Sequence, residues 1–203
     1  MEVNNFMKIG VLSFQGGVSE HISTMINSVQ VVRPTNCSVI PVKRKNDLVA
    51  IDALLIPGGE STVISRLISR ENCWGEIRAI PNIFGTCAGA IMLAKNVSGQ
   101  EEGGQGSLGV MNIEVDRNAY GSQTESFEER LNTRFGSTDA VFIRAPKIKK
   151  IGIGCEVLAT RANGEIVAVS ERIGSNFYLT TTFHPELSTT LFHEYFIKSI
   201  LDR

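Results

Sequence analysis

Asn82-Ile83-Phe84-Gly85-Thr86-Cys87-Ala88-Gly89-Ala90-Ile91-Met92-Leu93-Ala94 is the stretch that decides the fold. Residues 82–84 read as a buried strand, and Ala90, Ile91, Leu93 and Ala94 as the apolar face of a helix. Between them Gly85-x-Cys87-x-Gly89 is a sharp turn that lifts the central side chain above the sheet, with small residues on both sides so that the chain can pass close to its neighbours. The same grammar recurs upstream. Residues 53–56 form a strand that stops at Pro57-Gly58-Gly59, and a helix follows from about Ser61 with Val63, Ile64, Leu67 and Ile68 on one face. Residues 9–14 form the first strand, ending at Gln15-Gly16-Gly17. Helical spacing then links Val18, Ile22, Met25, Ile26 and Val29, and 39–42 is a short strand. Strands alternating with helices through short Gly-rich links predict an α/β fold, a mostly parallel sheet with helices on both faces. Ligands in such sheets sit at the carboxyl ends of the strands, where these turns lie.

The second half changes character. Residues 101–109 carry four glycines and read as a mobile loop. Strands are expected at 111–115, 141–143, 156–160, 166–170 and 177–183, and an amphipathic closing helix at 189–201. Asn163-Gly164 marks a hairpin, read as a type I′ turn with positive φ at both central residues. No internal repeat or linker interrupts the chain, so 1–203 is expected to be one domain, with residues 1–6 as an extension before the first strand. A chain of 203 residues buries roughly 70% of its extended surface, enough for a full core.

With 20 Lys plus Arg against 21 Asp plus Glu, the net charge of -1 and the absence of a basic run give no nucleic-acid footprint. No apolar run suits a signal peptide or a membrane span, which places the protein in the cytoplasm. Cys37, Cys73, Cys87 and Cys155 are far apart, with no C-x-x-C pair and no His at ligand spacing, so neither a zinc site nor a disulfide framework is expected.

Cys87 opens a helix, where unpaired N–H groups favour a thiolate, and the Ala88 N–H would face the oxyanion of an adduct. On the turn alone, an inert core cysteine remains an equal reading. A nucleophilic cysteine needs a histidine base. His184, in Phe183-His184-Pro185-Glu186, lies just past an apolar strand, and period-2 geometry would return the Glu186 carboxylate toward its ring. His193 reads as a partly exposed residue of the closing helix. His21, beside Glu20, suits a structural or partner-contacting role.

Cys87, His184 and Glu186, in this order on this pattern, resemble the triad of class I glutamine amidotransferases, which have a flavodoxin-like fold. Within that class the chain resembles the glutaminase subunits of pyridoxal 5′-phosphate synthase, from Met7 onward. The resemblance rests on Gly10-Val11-Leu12 with Gln15-Gly16, Glu20-His21, Pro57-Gly58-Gly59-Glu60-Ser61-Thr62 and the elbow. It continues in Asp116-Arg117-Asn118-Ala119-Tyr120-Gly121, Phe142-Ile143-Arg144-Ala145-Pro146 and Phe183-His184-Pro185-Glu186-Leu187. It implies that Cys87 attacks the carboxamide carbon of L-glutamine, that His184 is the base and that Glu186 orients it. It further implies that Gly59, Glu60, Ser61, Arg117, Ile143 and Arg144 bind glutamine, and that the Gly59 and Ala88 N–H groups form the oxyanion hole. No cofactor or metal is implied. The implied partner is a (β/α)8-barrel synthase subunit, in a complex of twelve synthase and twelve glutaminase subunits, with Glu20 and His21 at the interface. Ser122-Gln123 departs from the family's Arg-Gln, and 30–45 runs longer than its pattern. A glutaminase of another pathway, such as the histidine-pathway synthase, would share the triad but not Pro57–Thr62 or Arg117–Gly121. A stand-alone cysteine hydrolase would work without a partner, and a silent binding subunit would show no turnover.

Overall fold

The computed structural model describes residues 6–99, 105–119 and 126–202. In chain order it contains β1 (Met7–Leu12), α1 (Val18–Val32), β2 (Cys37–Val42), β3 (Ala53–Ile56), α2 (Ser61–Arg70), α3 (Trp74–Arg78), β4 (Asn82–Thr86), α4 (Ala88–Leu93), β5 (Ala94–Ser98) and β6 (Met111–Asp116). There follow β7 (Ser126–Thr133), β8 (Gly136–Ile143), β9 (Lys147–Ile151), β10 (Cys155–Thr160), β11 (Ile166–Ile173), β12 (Asn176–Thr181) and α5 (Leu191–Leu201). The extension expected at 1–6 lies, except for the exposed Phe6, outside the described residues, as do Tyr120 to Gln123.

The main sheet runs β2-β1-β3-β4-β12-β11-β10-β7-β8. Its first five strands pair in parallel, and from β12 onward every pairing is antiparallel. The parallel sheet anticipated from the strand–helix alternation is therefore one half of a longer, mixed sheet. A second sheet, β5-β6-β9, lies apart. Alternation along the buried strands sends Leu54, Ile56 and Ile83 to one face and Ala53, Leu55 and Phe84 to the other. The first face packs on α2, α3, α4 and the small sheet, through Ile64, Ile68, Ile77 and Leu93. The second packs on α1 and α5, through Met25, Phe192, Phe196 and Ile197. Burying a Phe or Ile side chain contributes about 1.5–3 kcal/mol, so these aromatics hold α5 down firmly.

Three expectations are corrected. The hairpin between β10 and β11 exists, but its turn is not type I′. Gly164 alone has positive φ, at 82°, and its N–H reaches Arg161 O at 2.9 Å while Arg161 N–H reaches Glu165 O at 2.9 Å. This is a three-residue loop in which glycine supplies the left-handed step, so Asn163 needs no strain. The loop expected to be mobile at 101–109 is pinned over its described part. Leu108 is buried with its N–H on Met92 O, and Arg78 donates to the carbonyls of Ser107 and Leu108. Finally, α1 extends to Val32 and ends on Arg33 in the left-handed region, with φ 53°.

Candidate active site

Three strand ends meet at one level of the sheet. Ile56 of β3 is in register with Gly85 of β4, and Thr86 of β4 with Thr181 of β12. The segments leaving these strands must therefore converge. They are Pro57-Gly58-Gly59 after β3, Cys87 after β4, and His184-Pro185-Glu186 after β12. The Cys87 N–H donates to Thr181 O at 2.9 Å, tying the turn to the strand that delivers the histidine. Cys87 itself has φ 49° and ψ -104°, left-handed backbone on a non-glycine residue. Such a conformation costs about 1–3 kcal/mol and persists only where surrounding packing imposes it.

His184 Nδ1 lies 2.7 Å from Glu186 Oε1. The carboxylate does not return by the extended, period-2 geometry expected from sequence. Pro185–Leu187 is a single 3-10 turn with proline at its first position, and the turn folds Glu186 back beneath the ring. With Nδ1 held by Glu186, Nε2 is the ring nitrogen left for Cys87. Gly58 completes the wall. A Cβ there would collide with His184 Cε1 and stand 3.1 Å from the Cys87 Cβ. The Cys87 Sγ lies 3.7 Å from Ile143 O, because the His184 N–H binds Val141 O and so brings the end of β8 across the site.

The His184 site is strongly polarised. Burial, the largest single influence, disfavours its imidazolium, but hydrogen bonds and charge from Cys87 and Glu186 together outweigh it, raising the imidazole from 6.5 to about 10. For Glu186, burial favours the neutral acid, and the hydrogen bond from His184 together with the His21 ring 3.1 Å from its other oxygen overrides it, holding the carboxyl well below its usual range. A base raised in the folded state stabilises the fold fully below its unfolded value of 6.5 and progressively loses that contribution up to about 10. We therefore expect the thermal midpoint of the protein to fall further between pH 7 and pH 10 than that of His184→Asn. Parallel falls would show that His184 gains no proton affinity on folding.

The remaining expected residues take distinct places. Glu60 caps α2, accepting from the Thr62 N–H, and its own N–H donates to Gln15 Oε1 at 2.8 Å. Arg117 Nη2 donates to Glu60 Oε1 at 2.6 Å, so the two charges expected at the glutamine site are paired with each other. The Ser61 hydroxyl is buried and donates to Gln105 Oε1 at 2.9 Å. Arg144 is exposed with φ 45°. His193 is corrected, and His21 takes one of its two expected roles. Both are 0% exposed, so His193 is not half-exposed, and the His21 side chain is a buried structural residue rather than a partner contact. Glu20 remains on the surface. Gly58, Thr86, His21 and His193 lie around Cys87, His184 and Glu186, and residue-by-residue reading did not assign them to the site.

A family model described as "SNO glutamine amidotransferase family" matches residues 11–202. The chain belongs to the SNO glutamine amidotransferase family. The chain is similar to the protein named "Pyridoxal 5′-phosphate synthase subunit PdxT" of Shouchella clausii, 42% identical with 97% of each chain covered. It is similar to the protein of that name from Oenococcus oeni, 43% identical over 95% of this chain and 96% of the relative. The Sulfolobus acidocaldarius protein of that name is 42% identical, over 96% and 99%. A solved structure described as a glutamine amidotransferase is 40% identical with a TM-score of 0.78, covering 95% of this chain and 98% of its own. A putative GMP synthase component from Thermoplasma acidophilum, 14% identical at a TM-score of 0.59 with 97% of this chain and 93% of its own covered, shares the fold. As a member of the SNO family the chain is a glutamine amidotransferase, on an α/β fold with the turn read from Gly85 to Gly89. No helix among the described residues is long and apolar enough to cross a membrane.

Proposed function

We propose that this chain is the glutaminase subunit of a pyridoxal 5′-phosphate synthase and that Cys87, His184 and Glu186 are its catalytic triad. The observation that carries the reading is the convergence of β3, β4 and β12. It sets the Cys87 thiol, the His184 ring and a glycine loop around one point, with the carboxylate 2.7 Å behind the imidazole. The names of its relatives support the pathway.

The Cys87 sulfur attacks the carboxamide carbon of L-glutamine. His184 takes the thiol proton and returns it to the departing nitrogen, so ammonia leaves and a thioester remains. Water, deprotonated by His184, then attacks the thioester and releases glutamate and the thiol. The Ala88 and Gly59 N–H groups stabilise the oxyanion in both steps; loss of one such donor typically costs about 2.7–4 kcal/mol. Glu60 and Arg117 suit an α-amino acid zwitterion. The pair can open so that the guanidinium takes the α-carboxylate and Glu60 the α-ammonium. Ser61 supports the loop that carries Glu60, while Ile143 and Arg144 close the far side of the substrate. Ammonia passes to a separate (β/α)8-barrel synthase subunit, in a complex with twelve copies of each. The whole chain acts as one amidotransferase domain in the cytoplasm, where its four free cysteines stay reduced.

The test is ammonia release from glutamine with and without the synthase subunit. We expect stimulation by that subunit. Equal turnover without it would mean a stand-alone hydrolase; none in either condition would mean a different acceptor subunit or a silent binding subunit. In Arg117→Met we expect the glutamine KM to rise about tenfold or more, the loss of one charged hydrogen bond, with kcat less affected. An unchanged KM would remove Arg117 from the substrate site.

A further inference from the structure

Glu186 has two oxygens, and the triad uses one. Oε1 is taken by His184 Nδ1. Oε2 is buried and receives no well-aligned hydrogen bond from any described residue; its close polar contact is His21 Nε2 at 3.1 Å. The same His21 nitrogen lies 3.0 Å from Thr86 Oγ1, on the residue immediately before the nucleophile. One ring nitrogen of His21 thus faces both the carboxylate of Glu186 and the end of β4. On its other side, His21 Nδ1 lies 3.0 Å from His193 Nε2. His193 sits edge-on to Phe84, ring centroids 5.3 Å apart, and its Nδ1 is buried with no partner among the described residues.

These contacts fix the protons. Complete burial pushes His193 well below the ordinary imidazole range, so it carries a single N–H. On Nδ1 that hydrogen would be a buried donor without an acceptor, a cost of about 1–3 kcal/mol that buried N–H groups rarely bear. On Nε2 it is donated to His21 Nδ1. His21 must then accept at Nδ1 and carry its own hydrogen on Nε2, facing Glu186 Oε2 and Thr86. The donations run from His193 to His21 to Glu186, where they meet the one from His184.

We propose that His21 is a positioning residue of the glutaminase site, restraining the free oxygen of Glu186 so that the carboxylate cannot rotate away from His184, and that His193 sets the tautomer in which it does so. The inference rests on the reading of Cys87, His184 and Glu186 as the triad. A carboxylate held at one oxygen can swing about its last bond; held at both, it fixes the plane of the His184 ring and the nitrogen that bears its proton. The titratable groups facing Glu186 are His184 and His21, with Cys87 beyond the first and His193 beyond the second. Glu20 reaches toward Gly17, the glycine against which Glu186 also lies.

The experiment compares His21→Leu and His21→Gln in the assembled complex with the synthase subunit, with Cys87→Ala as reference. Glutamine places an amide N–H near the position of Nε2; leucine fills the space without a donor. In His21→Leu we expect kcat for ammonia release to fall about tenfold to a hundredfold, the usual range for a group that orients a catalytic ligand. The KM for glutamine should stay within about twofold, because His21 does not touch substrate. The acidic limb of the kcat/KM profile should move to higher pH, since Glu186 has lost a stabilising donor. His21→Gln should recover most of the rate and restore the limb. Full kcat in His21→Leu, or equal losses in both variants, would overturn the proposal and leave the two histidines as core packing. Should the leucine variant not fold, two-bond nitrogen–proton NMR of the unmodified protein reads both tautomers directly. An Nδ1-protonated His21 or His193 would sink the proposal on its own. If Cys87→Ala still releases ammonia, the triad reading itself has failed; if it is silent while His21→Leu is fully active, only the role of His21 has.

Discussion

Cys87→Ala is expected to reduce ammonia release by about 10^4-fold or more while leaving the protein folded. The magnitude follows from the loss of a covalent step. Removing the nucleophile of a triad typically costs as much as removing all its members, on the order of 10^6 in kcat. The folded state should tolerate the change, because alanine keeps the Cβ and the thiol's polar contacts, 3.7 Å to Ile143 O and a hydrogen bond with His184, lie within the site. Backbone strain sharpens the comparison. At φ 49° the residue holds a conformation that glycine adopts freely. Cys87→Gly should therefore be equally inactive yet more stable than Cys87→Ala, by about 1 kcal/mol. Denaturant unfolding of the two variants measures that difference directly. A glycine variant no more stable than the alanine one would mean that the turn is not strained. Retained turnover in either would end the assignment of Cys87 as nucleophile.

The strands and turns that build this site were legible in sequence because they are buried on both faces. Residues 53–56 are an unbroken apolar run that stops at Pro57-Gly58-Gly59, and Ile83-Phe84 runs into Gly85, a pattern with few other readings. The strands that were missed carry charge. Ser126–Thr133 has only Phe127 and Leu131 as large apolar residues among three charges, Glu128, Glu129 and Arg130, and it pairs near the rim of the sheet with one face in solvent. Lys147–Ile151 offers Ile148 to the core and three lysines to water. In such strands the alternation is too short and too weak to stand out from loop sequence. The strand-end positions of Cys87, His184 and Glu186 were legible for a different reason, since Cys87 follows β4 directly and His184 and Glu186 lie in the short segment after β12. His21 and His193 were not. Each is a lone histidine on a helix face, and their meaning comes from a contact between residues 172 positions apart. The turn at Pro185 shows a subtler limit. The right pair was found, His184 with Glu186, through a backbone geometry that the proline replaces with a tight turn.

Gly89→Ala separates the two things a glycine can do for this fold. In a helix interior, replacing glycine by alanine ordinarily stabilises by about 0.5–1 kcal/mol, because the unfolded chain loses freedom. Gly75, the second residue of α3, has room for the change; a Cβ there would touch nothing within 4 Å. We expect Gly75→Ala to be neutral or slightly stabilising. Gly89 is also helical, but a Cβ there would run into the backbone carbonyl oxygen of Ile56. A flexible side chain could give way. Ile56 cannot, because it is the last residue of β3, held in register against β4 and buried on both faces. The clash must therefore tilt α4 away from the sheet or push β3 outward, and overpacking of this kind costs about 1–3 kcal/mol, sometimes more. The displacement has a direction. Ile56 leads into Pro57-Gly58, and Gly58 lies against both His184 and Cys87. A shift of a few tenths of an ångström at Ile56 therefore moves the wall of the site together with the turn that carries Cys87. We expect Gly89→Ala to lower the thermal midpoint by several degrees, opposite in sign to Gly75→Ala, and to cut kcat severely in the molecules that remain folded. A stable and active Gly89→Ala would show that the approach of α4 to β3 does not set the position of Cys87.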